Sequence, residues 1–149
     1  MPDNMFFDMP KERSSIIKVL GVGGGGSNAV NHMYDKGISG VDFVICNTDA
    51  QDLDKSEVPN KVQLGMSVTE GLGAGANPDV GRECAMASID DVKRELSTGT
   101  KMVFITAGMG GGTGTGGAPV IAQCAKEMGL LTVGIVTSPF MWEGRHKIA

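Results

Sequence analysis

A run of glycine and threonine residues separates a predicted strand from a predicted helix in the last third of the chain. Residues 102–105 are apolar and predict a buried strand, residues 119–128 predict a helix, and residues 110–116 lie between them. Backbone N–H groups in such a turn can converge on an anion, because glycine accepts positive φ and leaves no side chain in the way. The sequence therefore predicts a phosphate-binding loop, to which Thr113 and Thr115 add hydroxyl groups.

A second glycine-rich run follows the first predicted strand. Gly21, Gly23 and Gly26 fit the G-x-G-x-x-G pattern of dinucleotide-binding domains. Asp42 lies about 20 residues past this run, where such domains place an acid that binds a ribose hydroxyl. A tight strand–helix turn explains either run alone, whereas two such runs after different strands favour phosphate binding.

Alternating strand and helix patterns predict an α/β fold. Strands are predicted at residues 16–20, 42–46, 61–64, 102–106 and 131–137, and helices at residues 28–36, 80–96 and 120–128, with Pro78 and Asp79 at the start of the second helix. The strands are largely apolar rather than alternating, which favours a Rossmann-like parallel sheet with helices on both faces. Each glycine-rich run begins at the carboxyl end of a predicted strand, so the runs are expected to share one rim.

Composition limits the classes of function. The chain of 149 residues suits one domain, and its net charge of −4 without a basic stripe argues against nucleic-acid binding. No apolar run is long enough to insert into a membrane, and no signal-peptide pattern occurs.

Cys46, Cys84 and Cys124 lack C-x-x-C spacing and the 2 histidines lie far apart, so neither a disulfide nor a metal site is predicted. Cys46 and Cys124 are predicted to be core residues, and a reducing cytoplasm is expected.

The amino-terminal residues differ in composition from the rest of the chain. Residues 1–14 mix acids, bases and prolines and predict a disordered tail, followed by one domain at residues 15–149. Met5, Phe6 and Phe7 form a short apolar run within this tail. The run is interpreted as part of a loose tail, with a small docking patch as the alternative.

Five motifs occur in a defined order, at residues 21–28, 47–51, 69–78, 110–116 and 137–144. In this order they resemble the amino-terminal, nucleotide-binding part of FtsZ, the family of bacterial tubulin-like cell-division GTPases. Residues 110–116 resemble the signature shared by FtsZ and tubulins. Eukaryotic tubulins are less similar, because they lack the runs at residues 23–26 and 71–78 in this form. The resemblance implies the tubulin/FtsZ GTPase-domain type of α/β fold.

The resemblance also implies a site for GTP or GDP in which glycine-rich runs hold the phosphates. The residues that it assigns to the nucleotide are Gly24, Gly25, Gly26, Ser27, Asn28, Gly75, Gly111, Gly112, Thr113, Gly114, Glu143 and Lys147. Mg²⁺ is expected to be held mainly by the nucleotide, and neither a protein metal ligand nor a catalytic residue is assigned. Neither glycine-rich run contains lysine, so backbone dipoles and helix amino termini are expected to meet the phosphate charge.

Three positions carry further expectations. Ser27 replaces a glycine common in the family and suits a helix N-cap. Glu143 resembles the family's ribose-hydroxyl acceptor, whereas Lys147 stands where the family often has arginine and cannot form a bidentate fork. A side chain at Gly112 is expected to enter the phosphate position, so that Gly112→Asp abolishes binding and leaves the fold largely intact.

The resemblance finally implies that the chain stops before the family's central helix and before its acidic catalytic loop. GTP binding without hydrolysis is therefore expected of this chain alone, with filament assembly and contacts to other cell-division proteins at the level of the family. The alternative is a dinucleotide-binding Rossmann module of an oxidoreductase, against which residues 110–116 argue. A fragment that binds partners without nucleotide is a third possibility.

Overall fold

A five-stranded parallel sheet organises the chain. The computed structural model describes residues 16–97 and 99–137. The strands are β1 (Ile17–Val22), β2 (Asp42–Asn47), β3 (Asn60–Gln63), β4 (Met102–Gly108) and β5 (Leu131–Thr137). Their spatial order is β3-β2-β1-β4-β5, with every neighbouring pair parallel. The predicted α/β fold with a parallel sheet is confirmed.

Six helices connect these strands in the described residues. They are α1 (Gly23–Asp35), α2 (Ala50–Lys55), α3 (Met66–Thr69), α4 (Pro78–Ala87), α5 (Ile89–Leu96) and α6 (Thr113–Glu127). The predicted single helix at residues 80–96 is wrong in one respect, because it breaks at Ser88, whose φ and ψ are −111° and 19°. The Ser88 hydroxyl accepts a hydrogen bond of 2.8 Å from the backbone N–H of Gly65, which fixes the break against the preceding loop.

Helices α1 and α6 begin earlier than the sequence predicts. Gly23 starts α1 directly after β1, with a φ of +77° that turns the chain from strand into helix. Gly24–Gly26 and Thr113–Gly116 therefore form the first turns of α1 and α6 rather than separate loops. Glycine is a poor helix former, so packing against the sheet rather than local propensity explains these starts.

Two apolar cores cover the two faces of the sheet. One contains Leu20, Val44, Val103 and residues of α4, α5 and α6, including Cys84, Leu96 and Ile121. The other contains Val19, Phe43 and Ile45 with Val30 of α1 and Leu53 of α2. Each buried aliphatic side chain contributes about 1.5–3 kcal/mol. The alternation of strand residues between these cores confirms that helices cover both faces.

Helices α4 and α6 pack on that first face with very little space between their backbones. A Cβ placed on Gly116 of α6 would lie 1.8 Å from the carbonyl oxygen of Pro78, and one on Gly81 of α4 would lie 2.1 Å from the carbonyl oxygen of Gly112. Neither position has room for a methyl group. This contact fixes the start of α6 relative to α4.

Strand β5 is far more exposed than the other strands. Leu131, Ile135 and Val136 expose 63%, 55% and 53% of their surface, although β5 pairs with β4 along its whole length. Its apolar sequence predicts burial, but α6 covers only part of this strand and leaves these three side chains exposed in the described part of the chain. No helix within the described ranges is long and apolar enough to cross a membrane.

Candidate nucleotide site

The carboxyl ends of the central strands form one level rim. Val22, near the end of β1, pairs with Cys46 of β2 on one side and with Ala107 of β4 on the other. Gly108 then pairs with Thr137, the last residue of β5. The loops and helices that follow these strands are thereby gathered at one edge of the sheet, where open α/β sheets bind ligands.

The starts of α1 and α6 lie side by side at this rim. A Cβ on Gly23 would lie 2.9 Å from the backbone nitrogen of Gly114, and one on Gly25 would lie 3.4 Å from the Cα of Gly108. Neither helix has a side-chain cap on its first N–H groups. Because those groups have no intrahelical acceptor, the rim presents two sets of free donors and two positive helix ends.

Open space lies next to Gly24, Gly75 and Gly111. A Cβ at any of these three residues would meet no described atom within 4 Å. Gly24 and Gly25 are exposed in the first turn of α1, together with Asn28 one turn further on. The backbone here can approach a phosphate without a side chain intervening. The structure thus gathers residues from both predicted phosphate runs around accessible space.

Other glycines of the same runs are required by protein packing. A Cβ on Gly26 would lie 2.3 Å from the carbonyl oxygen of Thr106, and one on Gly114 would lie 2.7 Å from that of Gly108. A Cβ on Gly112 would lie 2.8 Å from the backbone nitrogen of Asn77. A side chain at Gly112 would therefore displace the backbone near Asn77, which the sequence alone did not predict, and the effect of Gly112→Asp on the fold stays a prediction.

The loop before α4 closes over the start of α6. Ala74 lies next to Gly112, since a Cβ placed on Gly112 would lie 2.9 Å from the Cβ of Ala74. Asn77 accepts a hydrogen bond of 3.0 Å from the N–H of Asp79 and so caps α4. Gly75 has a φ of +62° and is exposed. The glycine-rich run at residues 71–78 thus reaches the same rim as the runs at residues 21–26 and 110–116. This agrees with the prediction that the glycine-rich runs share one edge of the sheet.

The loop after β2 is held by its own side chains. Asn47 Oδ1 accepts hydrogen bonds of 2.8 Å and 3.3 Å from the N–H groups of Thr48 and Asp49. Asp49 in turn caps α2, and the backbone N–H of Ala50 donates to Gly71 at 3.0 Å. The loops at residues 47–51 and 69–78 are therefore joined by their backbones.

Four buried polar atoms have no partner among the described atoms, and three of them belong to the motifs gathered at the rim. These three are Ser27 Oγ in α1, Asn47 Nδ2 at the end of β2 and Thr69 Oγ1 at the end of α3, and the fourth is Thr100 Oγ1. A buried donor without a hydrogen bond is unfavourable, so the three atoms in these motifs suit a contact with a bound ligand. Ser27 was predicted as a site residue, whereas Asn47 was not. Asn47 is the first residue of the motif at residues 47–51, so the sequence could have indicated it as a site residue.

Glu143 and Lys147 lie outside the described residues, so their predicted roles stay predictions.

The described part of the chain holds no cluster of three or more potential metal ligands. All three cysteines are buried, as predicted for Cys46 and Cys124. Burial raises the pKa of the Cys46 thiol from 9.0 to about 12, with a smaller contribution from the charge of Glu95. Cys46 is therefore a neutral core residue.

The sheet and its rim are those of an open α/β domain with helices on both faces, the class in which ligands bind at the carboxyl ends of the strands. A family model described as "Tubulin/FtsZ family, GTPase domain" matches residues 16–149. The chain belongs to the Tubulin/FtsZ family.

Individual relatives agree with this assignment. Cell division protein FtsZ of Aquifex aeolicus is 61% identical over 132 residues, which cover 89% of this chain and 36% of the relative. That of Porphyromonas gingivalis is 60% identical over 134 residues, which cover 89% of this chain and 29% of the relative. The chain therefore spans only about a third of the length of these relatives.

Solved structures show the same fold. An empty FtsZ dimer from M. jannaschii superposes with a TM-score of 0.86 at 42% identity, over 97% of this chain and 42% of that one. The GDP-bound monomer of CetZ1 from Haloferax volcanii superposes with a TM-score of 0.79 at 31% identity, over 88% of this chain and 44% of that one.

Proposed function

We propose that this chain is the guanine-nucleotide-binding part of an FtsZ-type, filament-forming GTPase of bacterial cell division. The observation that carries the proposal is the open space beside Gly24 and Gly111, where α1 and α6 begin without side-chain caps. Two converging helix amino termini suit the charge of a di- or triphosphate. Family membership supports guanine as the base.

The phosphates are proposed to lie between the two first turns. N–H groups of Gly24, Gly25 and Gly26 would donate from one side, and those of Gly111, Gly112, Thr113 and Gly114 from the other. Ser27, Asn28 and Gly75 complete the proposed contacts at this rim. Mg²⁺ would be held mainly by the nucleotide and would neutralise phosphate charge, since no lysine lies in either glycine-rich run.

Two further contacts are proposed from the resemblance. Glu143 would accept a hydrogen bond from a ribose hydroxyl. Lys147 would stand in for the family's arginine as a single positive charge rather than as a planar fork. Both residues lie outside the described part of the chain.

Hydrolysis is proposed to need an acidic loop of the longer family proteins, acting between subunits. At this rim, Asp49 already caps α2, which leaves it poorly placed to position water. The chain alone is therefore expected to bind nucleotide without turning it over. Filament assembly, contacts with other cell-division proteins, a cytoplasmic location, and an absence of nucleic-acid binding or membrane insertion are proposed at the level of the family.

Titration calorimetry with GTP, ATP and NADH tests the proposal and separates it from the oxidoreductase alternative, which family membership does not favour. GTP is expected to bind, and NADH is not. Gly24→Ala should weaken GTP binding, because its Cβ fills the open space, whereas Gly134→Ala serves as the control in open space on β5. Tight NADH binding, or equal GTP binding by both variants, would overturn the proposal.

A further inference from the structure

The hydroxyl groups of Thr48 and Thr113 meet where the loop after β2 reaches the start of α6. Their Oγ1 atoms lie 2.7 Å apart in a buried hydrogen bond. Thr48 exposes only 1% of its surface and Thr113 exposes 8%. Thr48 is therefore surrounded by protein on nearly all sides, whereas Thr113 belongs to the proposed phosphate site.

One proton of this hydroxyl pair has no acceptor within the described protein. Each threonine hydroxyl carries one O–H donor, and buried donors in proteins are almost always paired. Among the described residues, the side chains of Thr48 and Thr113 form no hydrogen bond other than the one that joins them. That bond uses one of the two protons, so the other proton needs an acceptor that the described residues do not supply.

The burial of the two residues indicates which proton is left over. If Thr113 donated, the unused proton would belong to Thr48, the more deeply buried residue of the two. A donor without an acceptor at such a depth is unfavourable. If Thr48 donates, the unused proton belongs to Thr113, the first residue of α6 at the rim. Donation from Thr48 to Thr113 is therefore the favourable direction.

The Thr113 side chain lies where the starts of α1 and α6 converge. A Cβ on Gly23, the first residue of α1, would lie 3.4 Å from the Cβ of Thr113. The uncapped N–H groups of both helices surround this place, so the proton of Thr113 can join them at a bound phosphate. A hydroxyl that already accepts one hydrogen bond is also polarised, which makes it a stronger donor.

The backbone of Thr48 is fixed on both sides of its side chain. Its N–H donates to Asn47 Oδ1 at 2.8 Å, and its carbonyl oxygen accepts from Gln63 Nε2 at 2.8 Å. Threonine is β-branched, so a fixed backbone also restricts the rotation of its side chain. The Thr48 hydroxyl is therefore held in place beside Thr113.

We propose that Thr48 is a positioning residue of the phosphate site: its hydroxyl donates to Thr113 Oγ1 and thereby directs the Thr113 proton toward a phosphate oxygen of the bound nucleotide. This role rests on the proposed function of the chain. It gives the loop after β2 an influence on phosphate binding that requires no contact between Thr48 and the nucleotide. Because Thr48 acts through Thr113, its hydroxyl should matter only while the Thr113 hydroxyl is present.

Phosphorus NMR titrations of the full chain with GTP, and separately with inorganic tripolyphosphate, test this dependence. Thr113→Val should lower both affinities about tenfold or more, because it removes a hydrogen bond to a charged group. Thr48→Val should lower both affinities about fivefold, because the Thr113 hydroxyl loses its orientation and polarisation. In a chain that already carries Thr113→Val, adding Thr48→Val should cause no further loss of affinity.

Two variants serve as controls. Thr48→Ser keeps the hydroxyl and should hold both affinities within about twofold of those of the unchanged chain. Val92→Ala removes buried methyl groups from the core on α5 and should lower Tm without changing either affinity. Circular dichroism shows that each variant is folded at the temperature of the titration. Thr48→Ala, which also lacks the hydroxyl, replaces Thr48→Val in the comparison if Thr48→Val does not fold.

The outcomes separate the positioning role from the proposed function. Unchanged affinity in the Thr48→Val chain would overturn the positioning role. An equal loss with and without the Thr113 hydroxyl would also overturn it, because it would show that Thr48 acts on the structure of the rim as a whole. So would a Thr48→Ser chain that binds as weakly as Thr48→Val. If the unchanged chain does not bind GTP, the proposed function fails and the positioning role fails with it.

Discussion

Thr48 Oγ1 and Thr113 Oγ1 lie 2.7 Å apart in a buried hydrogen bond that joins the end of β2 to the first residue of α6. Thr113 belongs to the proposed phosphate site, whereas Thr48 belongs to the loop after β2. Gln63 adds a second tie, because its side-chain amide donates to the Thr48 carbonyl oxygen at 2.8 Å. The position of α6 at the rim is therefore coupled to the neighbouring loop.

Replacing one partner of this pair should destabilise the fold. Thr48→Val keeps the shape of the side chain and leaves the Thr113 hydroxyl buried without its partner, which costs about 1–3 kcal/mol. Urea unfolding measures the loss. Thr48→Ser retains a hydroxyl and should lose less, and Thr48→Val with Thr113→Val should lose less than the sum of the single changes. Strict additivity would show that the bond contributes nothing.

Neighbouring glycines at the start of α6 should respond differently to the same substitution. Gly111→Asp adds a side chain next to open space, so the fold should remain stable while phosphate binding is lost through bulk and like charge. Gly112→Asp forces its Cβ against the backbone of Asn77 and should also lower the free energy of unfolding, by about 1–3 kcal/mol. Circular dichroism melts and GTP titrations measure both properties. Equal stability of the two variants would contradict this distinction.

A single methyl group between α4 and α6 should be enough to disturb their packing. Gly116→Ala gains helix propensity of about 1 kcal/mol, but its Cβ meets the Pro78 carbonyl oxygen at 1.8 Å. We expect a net loss of about 1–3 kcal/mol in the free energy of unfolding. Gly134→Ala, whose Cβ meets nothing within 4 Å, should change stability by less than about 0.5 kcal/mol. Denaturant unfolding compares the two, and a stabilised Gly116→Ala protein would refute the close approach.

The buried Cys46 thiol should make the fold sensitive to alkali. Its pKa is about 12 in the folded chain, against 9.0 for the free thiol, so the unfolded chain loses this proton first. The contribution of the protonated Cys46 thiol to the free energy of unfolding is therefore fully present below pH 9.0, and it is lost as the pH rises toward about 12. Within that window the free energy of unfolding should fall by about 1.4 kcal/mol per pH unit from this group. Cys46→Ala should show a shallower decline in urea unfolding, and an identical slope would contradict the assignment.

The central strands were predictable from sequence because burial on both faces requires mainly apolar residues, with Lys18 as the buried exception in β1. Strands β1, β2 and β4 illustrate this, with their ends shifted by at most two residues. The starts of α1 and α6 were missed, because runs of glycine and threonine have low helix propensity and become helical only through packing. Ser88 was missed for a similar reason, since its partner at Gly65 is distant in sequence.

The location of the candidate site was predictable from the sequence. The separate roles of its glycines, in ligand access or in protein packing, were not. Parallel strands bring their carboxyl ends together, so the glycine-rich runs had to meet at one rim. Sequence alone did not separate Gly24 and Gly111, which face open space, from Gly26 and Gly114, which pack against carbonyl oxygens. That difference depends on atoms supplied by other elements, as does the unpartnered amide of Asn47.

The contact between Gly116 and Pro78 has a consequence for genetic repair. A clash between two side chains can be relieved by shrinking the second one, but the atom facing Gly116 is a backbone carbonyl oxygen. Every amino acid carries that oxygen, so no replacement at position 78 removes it. Second-site suppressors of Gly116→Ala should therefore be absent at its contact position, and recovery should come from reversion or from stabilising changes elsewhere in the chain.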